Sequence, residues 1–201
     1  MKEEFKIRYN EKLSYNLKNK DGSNDSYKGI FYKYIEKNSN VPQFTRIDID
    51  ESDPEIIVEK IRIDLDYNNT KVYAVMAYPK KKGKYPGRLV LHGGGLKADS
   101  MFDSVRSYAL NGYFAIAPDL PGIVSEEYAK DKNCEGDWTE NYDYLGCMFK
   151  SDIVEDIKKS TLYYAVVTAL KTFHLLQDNE MVDSNYIGVS GISWGGYMTT
   201  M

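Results

Sequence analysis

The residue with the strongest chemical signal in the sequence is Ser193, the centre of the pentapeptide 191–195, Gly-Ile-Ser-Trp-Gly. A G-x-S-x-G sequence presents a nucleophilic serine on a sharp turn between a strand and a helix. The apolar run 186–189 predicts that strand, and the residues after the motif begin the predicted helix. Side chains at Gly191 or Gly195 would collide with these elements, and the serine itself is expected in a strained backbone conformation. Taken alone, the pentapeptide also fits a glycine-rich turn without chemical meaning.

A second motif consists of His92 and the three glycines 93–95 that follow it. It lies after a predicted strand and before a predicted helix. Acyl transfer generates an oxyanion, which backbone N–H groups of such a loop stabilise together with the N–H of the residue after the nucleophile. We therefore assign Trp194 as one donor and either Gly94 or Gly95 as the other. A plain glycine turn is the alternative, but the order and separation of the two motifs favour the catalytic interpretation.

The alternation of apolar and polar residues predicts a β-hairpin with strands at 57–65 and 72–78. Continuous apolar runs follow, and they alternate with segments of helical periodicity. This order is typical of an α/β protein with a mostly parallel sheet and helices on both faces. The predicted strands of this part are 88–92, 113–117 and 186–189, and the predicted helices are 101–111 and 152–177.

Composition excludes several classes of partner. The formal net charge is −4, and acidic and basic residues are mixed along the chain. No basic stripe or cluster indicates a nucleic acid or an anionic membrane as partner. No apolar run approaches the ~20 residues that span a bilayer, and the charged N-terminus lacks the pattern of a signal peptide. We therefore expect a cytoplasmic protein that binds neither nucleic acid nor membrane.

The sequence predicts no metal site and no cofactor. Cys134 and Cys147 show none of the Cys or Cys/His spacings of a zinc site, so we interpret them as two free thiols. The glycine loop 93–95 lacks the Lys-Ser/Thr pair of a phosphate-binding P-loop.

These residues resemble the α/β-hydrolase superfamily, most closely the acetyl xylan esterases and the prolyl-oligopeptidase-like (dienelactone hydrolase-like) serine hydrolases. The resemblance covers about 56–201, which divides the chain into a lead-in or small cap at 1–55 and an incomplete hydrolase domain at 56–201. It implies an acyl-serine intermediate that water resolves, and a structural role for His92. The matching stretches are 89–95, 112–122 and 187–197.

The resemblance also implies a triad in the order Ser, Asp or Glu, His, yet only eight residues follow Ser193. His92 begins the glycine loop, and His174 lies in the long helix, where we expect a packed or surface histidine. Asp119 precedes the nucleophile and is therefore interpreted as structural. The sharp turn at 191–195 that carries Ser193 is called the elbow below. We expect these 201 residues to be a fragment of a longer enzyme, truncated after this elbow and inactive alone.

The predicted function is hydrolysis of carboxylic esters, with a small molecule or a carbohydrate bearing acetyl esters as substrate. A prolyl-oligopeptidase-type peptidase is an alternative, although 1–55 is too short for a propeller. A non-catalytic hydrolase-like binding protein is another, although it would need neither the elbow nor the glycine loop. Four aromatic residues are candidates for a substrate pocket or for simple packing: Trp138, Tyr142, Tyr144 and Trp194.

Overall fold

The computed structural model describes residues 17–18, 24–25, 31, 34, 41–65, 71–120 and 161–201. Near the N-terminus, the two-residue strands β1 (Leu17–Lys18) and β2 (Asn24–Asp25) pair antiparallel. The other described strands are β3 (Phe44–Asp50), β4 (Ile56–Asp64), β5 (Lys71–Pro79), β6 (Tyr85–Leu91), β7 (Phe114–Pro118) and β8 (Val182–Gly191). These six strands form one sheet in the order β3-β4-β5-β7-β6-β8.

Strands β4 and β5 form the predicted hairpin. Their antiparallel register runs from Ile56 opposite Pro79 to Asp64 opposite Lys71. Asn68 and Asn69, a turn signal between the two strands in the sequence, lie outside the described residues. Because β5 also pairs antiparallel with β7, the hairpin is joined through β7 to β6 and β8, the strands that lead into the two motifs.

The strands β7, β6 and β8 are parallel neighbours, so their carboxyl ends meet at one edge of the sheet. Across the whole sheet, β4, β6, β7 and β8 point one way, whereas β3 and β5 point the other. The predicted α/β fold class, with a mostly parallel sheet, is thus confirmed. The described helices are a 3-10 helix (Ala98–Met101), α1 (Phe102–Leu110), α2 (Thr161–Asp178) and α3 (Trp194–Thr200).

The sheet has an apolar core on each face. Successive side chains of a strand point to opposite faces, so a buried strand such as β5 contributes to both cores. One core contains residues of α2 and α3, and the other contains residues of α1. From β5, the first core takes Val72, Ala74 and Met76, and the second takes Tyr73, Val75 and Ala77. Helices therefore cover both faces, as predicted.

Most element boundaries differ from the predicted ones by a few residues. Helix α1 is one residue shorter at each end than the predicted 101–111. Helix α2 is described from Thr161, so the predicted part at 152–160 lies outside the described residues. Strand β8 begins before the predicted 186–189, and the polar residues 183–185, whose types are typical of a turn, lie at a register irregularity inside it.

Strand β3 is not predicted by the sequence pattern. Most of its side chains are exposed, and it pairs with β4 at the edge of the sheet. It lies within 1–55, and the description of that segment as a separate lead-in or small cap stays a prediction.

The edge strand β3 is tied to β4 by an ion pair. Glu59 of β4 is 1% exposed, and its carboxylate accepts hydrogen bonds from Nε of Arg46 at 2.5 Å and from Nη2 at 2.9 Å. The hydroxyl of Tyr78 donates to the same carboxylate. Burial raises the pKa of Tyr78 above its ordinary value, and the bond to Glu59 raises it further, so this hydroxyl remains a donor.

None of the helices in the described ranges is long and apolar enough to cross a membrane. Over the same ranges, no group of three or more His, Cys, Asp or Glu side chains is arranged to hold a metal ion. Cys134 and Cys147, predicted to be free thiols, lie outside the part of the chain that the structure describes.

We expect the substitution Arg46→Leu to lower the free energy of unfolding by about 2 kcal/mol, because it leaves the carboxylate of Glu59 buried without its cation. The double variant Arg46→Leu/Glu59→Leu is expected to recover part of this loss, since it removes the buried charge as well. Denaturant unfolding of the wild type, the two single variants Arg46→Leu and Glu59→Leu, and the double variant measures both effects. This account would be contradicted if the double variant lost as much free energy of unfolding as the two single substitutions do in sum.

Candidate active site

Ser193 lies at the carboxyl edge of the sheet, between the end of β8 at Gly191 and the start of α3 at Trp194. Its backbone has φ 54° and ψ −117°, and it is the single non-glycine residue with a positive φ among the described residues. Such a conformation costs about 1–3 kcal/mol and persists only where surrounding contacts impose it. Here the N–H of Gly195 closes the turn on the carbonyl of Ile192 at 3.0 Å. The strained backbone that the motif predicts is therefore present.

The glycines of the motif allow three backbone segments to meet. A β-carbon on Gly195 would lie 2.0 Å from the carbonyl oxygen of Leu91, at the end of β6. A β-carbon on Gly191 would lie 2.3 Å from the carbonyl carbon of Gly195. Both distances are far below van der Waals contact, so neither position has room for a side chain.

We expect Gly195→Ala to lower the free energy of unfolding by about 3 kcal/mol or more, because the new methyl group meets rigid backbone that cannot move aside. Gly196→Ala is the matched control, since a β-carbon there would meet its nearest atom, the carbonyl oxygen of Gly191, at 3.3 Å. Its effect is expected to stay within about 1 kcal/mol, because alanine also favours the helix. Denaturant midpoints compare the two variants. Equal losses of stability would contradict the role of the close approach between Gly195 and Leu91.

The structure brings the predicted glycine loop next to the elbow. The parallel pairing of β6 and β8 ends with Leu91 opposite Gly191, so the segments that follow leave the sheet at the same edge. A β-carbon on Gly93 would lie 3.4 Å from the carbonyl oxygen of Ile192, beside Ser193. In the loop, Gly94 is exposed and Gly95 has φ 75°, a left-handed conformation that favours glycine.

His92 is fully buried and holds the base of this loop. Its Nε2 accepts a hydrogen bond from the N–H of Leu120 at 2.9 Å, so the ring proton is on Nδ1, which lies 2.9 Å from the carbonyl oxygen of Gly93 and donates to it. Burial lowers the pKa of His92 to about 4, although the bond to Gly93 acts in the opposite direction. A neutral imidazole with both nitrogens engaged has a structural role here.

His92 predicts a loss of stability in acid. A histidine in the unfolded chain is protonated near pH 6.5, whereas His92 in the folded chain is protonated near 4. Between these values the unfolded chain binds more protons, so the free energy of unfolding decreases as the pH is lowered from 6.5 to 4, by up to about 3 kcal/mol in total. This part of the pH dependence should be absent in His92→Gln, as measured by denaturant unfolding from about pH 4 to 7. Identical slopes in both proteins would refute the neutral buried state.

The second histidine of the sequence, His174, packs inside the fold. It is 3% exposed on α2, its Nε2 lies 2.6 Å from the carbonyl oxygen of Tyr34, and its Nδ1 lies 3.1 Å from Oε1 of Gln177. A carbonyl only accepts hydrogen bonds, so Nε2 donates to it. Both histidines of the chain are thus engaged in the fold, and neither is placed as a base for Ser193.

The partners of two buried side chains were not found by sequence reasoning. Asp119 is 3% exposed, and its Oδ1 accepts a hydrogen bond from the N–H of Ala98 at 2.5 Å. His92 binds Leu120, the next residue after Asp119. The sequence signal for these contacts is the position of the two side chains. His92 directly follows β6 and Asp119 directly follows β7, and the carboxyl ends of these two parallel neighbours meet.

Among the aromatic candidates for a pocket, Trp194 has a buried side chain, 7% exposed, that stacks on Tyr197 with ring centroids 5.6 Å apart. Trp138, Tyr142 and Tyr144 lie outside the described residues. The large apolar side chain beside Ser193 is instead Ile192, which is 68% exposed. Its neighbour on the chain, the nucleophile candidate, is exposed as well.

This chain is an α/β-hydrolase. It combines a mixed sheet with a strained serine between a strand and a helix, and a glycine loop follows the adjacent strand. Its sequence matches the family acetyl xylan esterase (AXE1) over residues 17–201. The chain therefore belongs to the acetyl xylan esterase family. No curated protein sequence matches it.

Solved structures of esterases share this fold. Acetyl xylan esterase 1 from Thermoanaerobacterium sp. JW/SL YS485 is 16% identical with a TM-score of 0.62, over 86% of this chain and 52% of that one. Acetyl xylan esterase from Paenibacillus sp. R4 is 17% identical with a TM-score of 0.57, over 81% of this chain and 49% of that one. The chain thus spans about half the length of the acetyl xylan esterases that it resembles.

Proposed function

We propose that this protein hydrolyses carboxylic esters through an acyl intermediate on Ser193. The observation that carries the proposal is the position of this serine, held at φ 54° in an exposed turn beside the glycine loop. The backbone strain keeps the hydroxyl at the sheet edge, where a substrate carbonyl can approach it. Membership of the acetyl xylan esterase family supports the same chemistry.

Gly94 is the loop donor that we propose for the oxyanion. The carbonyl of Gly93 receives two hydrogen bonds, from Nδ1–H of His92 at 2.9 Å and from the N–H of Leu96 at 3.2 Å. A trans peptide is planar, and its carbonyl and N–H point in opposite directions. Fixing the carbonyl of Gly93 therefore also fixes the direction of the Gly94 N–H, whereas no such constraint acts on the N–H of Gly95. This favours Gly94 over Gly95.

The second proposed donor is the N–H of Trp194, the residue after the nucleophile and the first of α3. The buried indole of Trp194 packs in the core that α3 shares with α2, which anchors its backbone. Two preorganised donors then stabilise the charge that develops on the substrate oxygen in the transition state. Gly191 and Gly195 contribute by allowing the close backbone contacts of the elbow.

In the proposed reaction, a base takes the proton of the Ser193 hydroxyl as its oxygen attacks the ester carbonyl. The alcohol leaves with a proton from the same base, and water then hydrolyses the acyl-serine. His92 and His174 are both engaged in the fold, so we propose that a histidine and a carboxylate outside these 201 residues complete the site. That the 201 residues alone are nearly inactive stays a prediction.

The proposed substrates are small-molecule or carbohydrate esters, with acetyl esters of carbohydrates first. This choice rests on the family, acetyl xylan esterase, whose model matches residues 17–201. The reaction as proposed uses no metal and no cofactor, since the nucleophile and both oxyanion donors come from the chain itself.

We expect Ser193→Ala to lower kcat/KM of the intact protein for p-nitrophenyl acetate and acetylated xylan by at least about 10³-fold, because the acyl intermediate can no longer form. Ser190→Ala is the matched control, a partly buried serine of β8 only three residues away. Its activity should stay within about threefold of the wild type. Intact-mass spectrometry should detect one acetyl group on the wild type and none on Ser193→Ala.

Two outcomes would contradict this proposal. Full hydrolysis by Ser193→Ala would show that another group performs the chemistry. The same assay on residues 1–201 alone locates the base, because turnover equal to that of the intact protein would show that the base lies within these residues.

A further inference from the structure

Two neighbouring strands place buried polar residues side by side at the edge that carries Ser193. β6 and β7 are parallel, with Leu89 opposite Ile116, and the same register brings His92 next to Asp119. The glycine loop leaves the sheet at His92 and ends at Ala98, the first residue of the 3-10 helix. Both ends of the loop therefore lie against the residues that follow β7.

Each end of the loop is bonded to that segment through a buried side chain. At the first end, Nε2 of His92 accepts the N–H of Leu120 at 2.9 Å. At the second end, Oδ1 of Asp119 accepts the N–H of Ala98 at 2.5 Å. Hydrogen bonds to a carboxylate are about twice as strong as neutral ones, and the low polarity of a buried site strengthens them further.

Asp119 is itself fixed by the next strand of the sheet. Its N–H donates to the carbonyl of Tyr73 on β5 at 2.8 Å, and the hydroxyl of Tyr73 donates to Oδ1 of Asp99 at 2.6 Å. Tyr73 and Asp119 are both 3% exposed, so the bond between them is shielded from water. Strand β5 thus holds both Asp119 and the 3-10 helix that follows the loop.

Between these two bonds the loop is tied mainly to itself, through the carbonyl of Gly93, which accepts hydrogen bonds from the N–H of Leu96 and from Nδ1 of His92. Three consecutive glycines offer no side chain for packing, and a β-carbon at Gly95 would have no atom within 4 Å. Glycine also has the largest backbone freedom of any residue. The bonds at the Gly93 carbonyl set the direction of the Gly94 N–H, whereas the position of the loop relative to the sheet is defined by its two ends.

We infer that Asp119 is a positioning residue for the oxyanion site: by accepting the N–H of Ala98 it holds the far end of the glycine loop, and with it the Gly94 N–H, at the distance that the reacting ester requires. The inference rests on the proposed esterase function. It assigns to Asp119 a role in kcat rather than in substrate binding, because the oxyanion donors act mainly on the charge of the transition state.

Three variants of the intact protein test the inference with p-nitrophenyl acetate. Asp119→Ala should lower kcat about 10- to 100-fold with KM within about twofold, because the donor moves away from the developing charge. Asp119→Asn keeps an acceptor oxygen at the same position and should restore kcat to within about fivefold. Ala98→Pro removes the same bond from the donor side and should lower kcat as Asp119→Ala does.

The proline variant suits this position. Proline is favoured in the first residue of a helix, and the preceding Lys97 has φ −137° and ψ 172°, the extended conformation that proline requires before it. Ala98→Pro also decides the matter if Asp119→Ala does not fold. Glu59→Gln is the control for loss of a buried carboxylate, because Glu59 binds Arg46 between β3 and β4, away from the loop. It should lower the thermal midpoint and leave kcat unchanged.

The outcomes separate the two proposals. An inactive wild-type protein would overturn the esterase function itself. An active wild type, with kcat of Asp119→Ala and Ala98→Pro within about threefold of it, would overturn the positioning role alone. A rise in KM at constant kcat would also overturn it, because Asp119 would then act on substrate binding. A lower kcat in both variants and its recovery in Asp119→Asn would support the role.

Discussion

The backbone of Gly195 passes so close to the carbonyl of Leu91 that no β-carbon fits between them, and the arrangement of the whole site depends on this contact. The contact joins the first turn of α3 to the end of β6. Because β6 also begins the glycine loop, the elbow and the loop are two consequences of one close approach. The strain at Ser193 persists for the same reason, since relaxing it would require moving a helix away from the strand beneath it.

A second level of organisation lies at the ends of the parallel strands. There, buried polar side chains replace the apolar ones of the sheet interior, and each has a defined partner. His92 is kept neutral by burial, which suits its role as an acceptor for Leu120 and a donor to Gly93. Asp119 accepts from Ala98 in a comparable way. These hydrogen bonds are short and shielded from water, and they give the glycine loop a definite shape that its own side chains cannot provide.

Much of the fold could be predicted from the sequence, because hydrophobic periodicity reports burial directly. The hairpin at 56–79, the uniformly apolar β7 and the elbow at Ser193 are examples. Strand β3 could not be predicted, because it lies at the sheet edge with most side chains exposed and is held by backbone pairing and Arg46. The bond between Ala98 and Asp119 could not be predicted either, because the register of two strands brings these distant residues together. The polar residues 183–185 are typical of a turn, but only the pairing with β6 shows that they lie within a continuing strand.

The proposed donors of the oxyanion site are main-chain N–H groups, which has a consequence for how such a protein can change over evolutionary time. A codon change replaces a side chain but leaves the peptide N–H in place, with proline as the exception. Sequence drift can therefore alter most of the surface and much of the core without deleting these donors. What drift must preserve is their geometry, through a few glycines and two buried anchoring residues. An identity of 16% to an acetyl xylan esterase of the same fold fits such a division between variable side chains and a retained backbone.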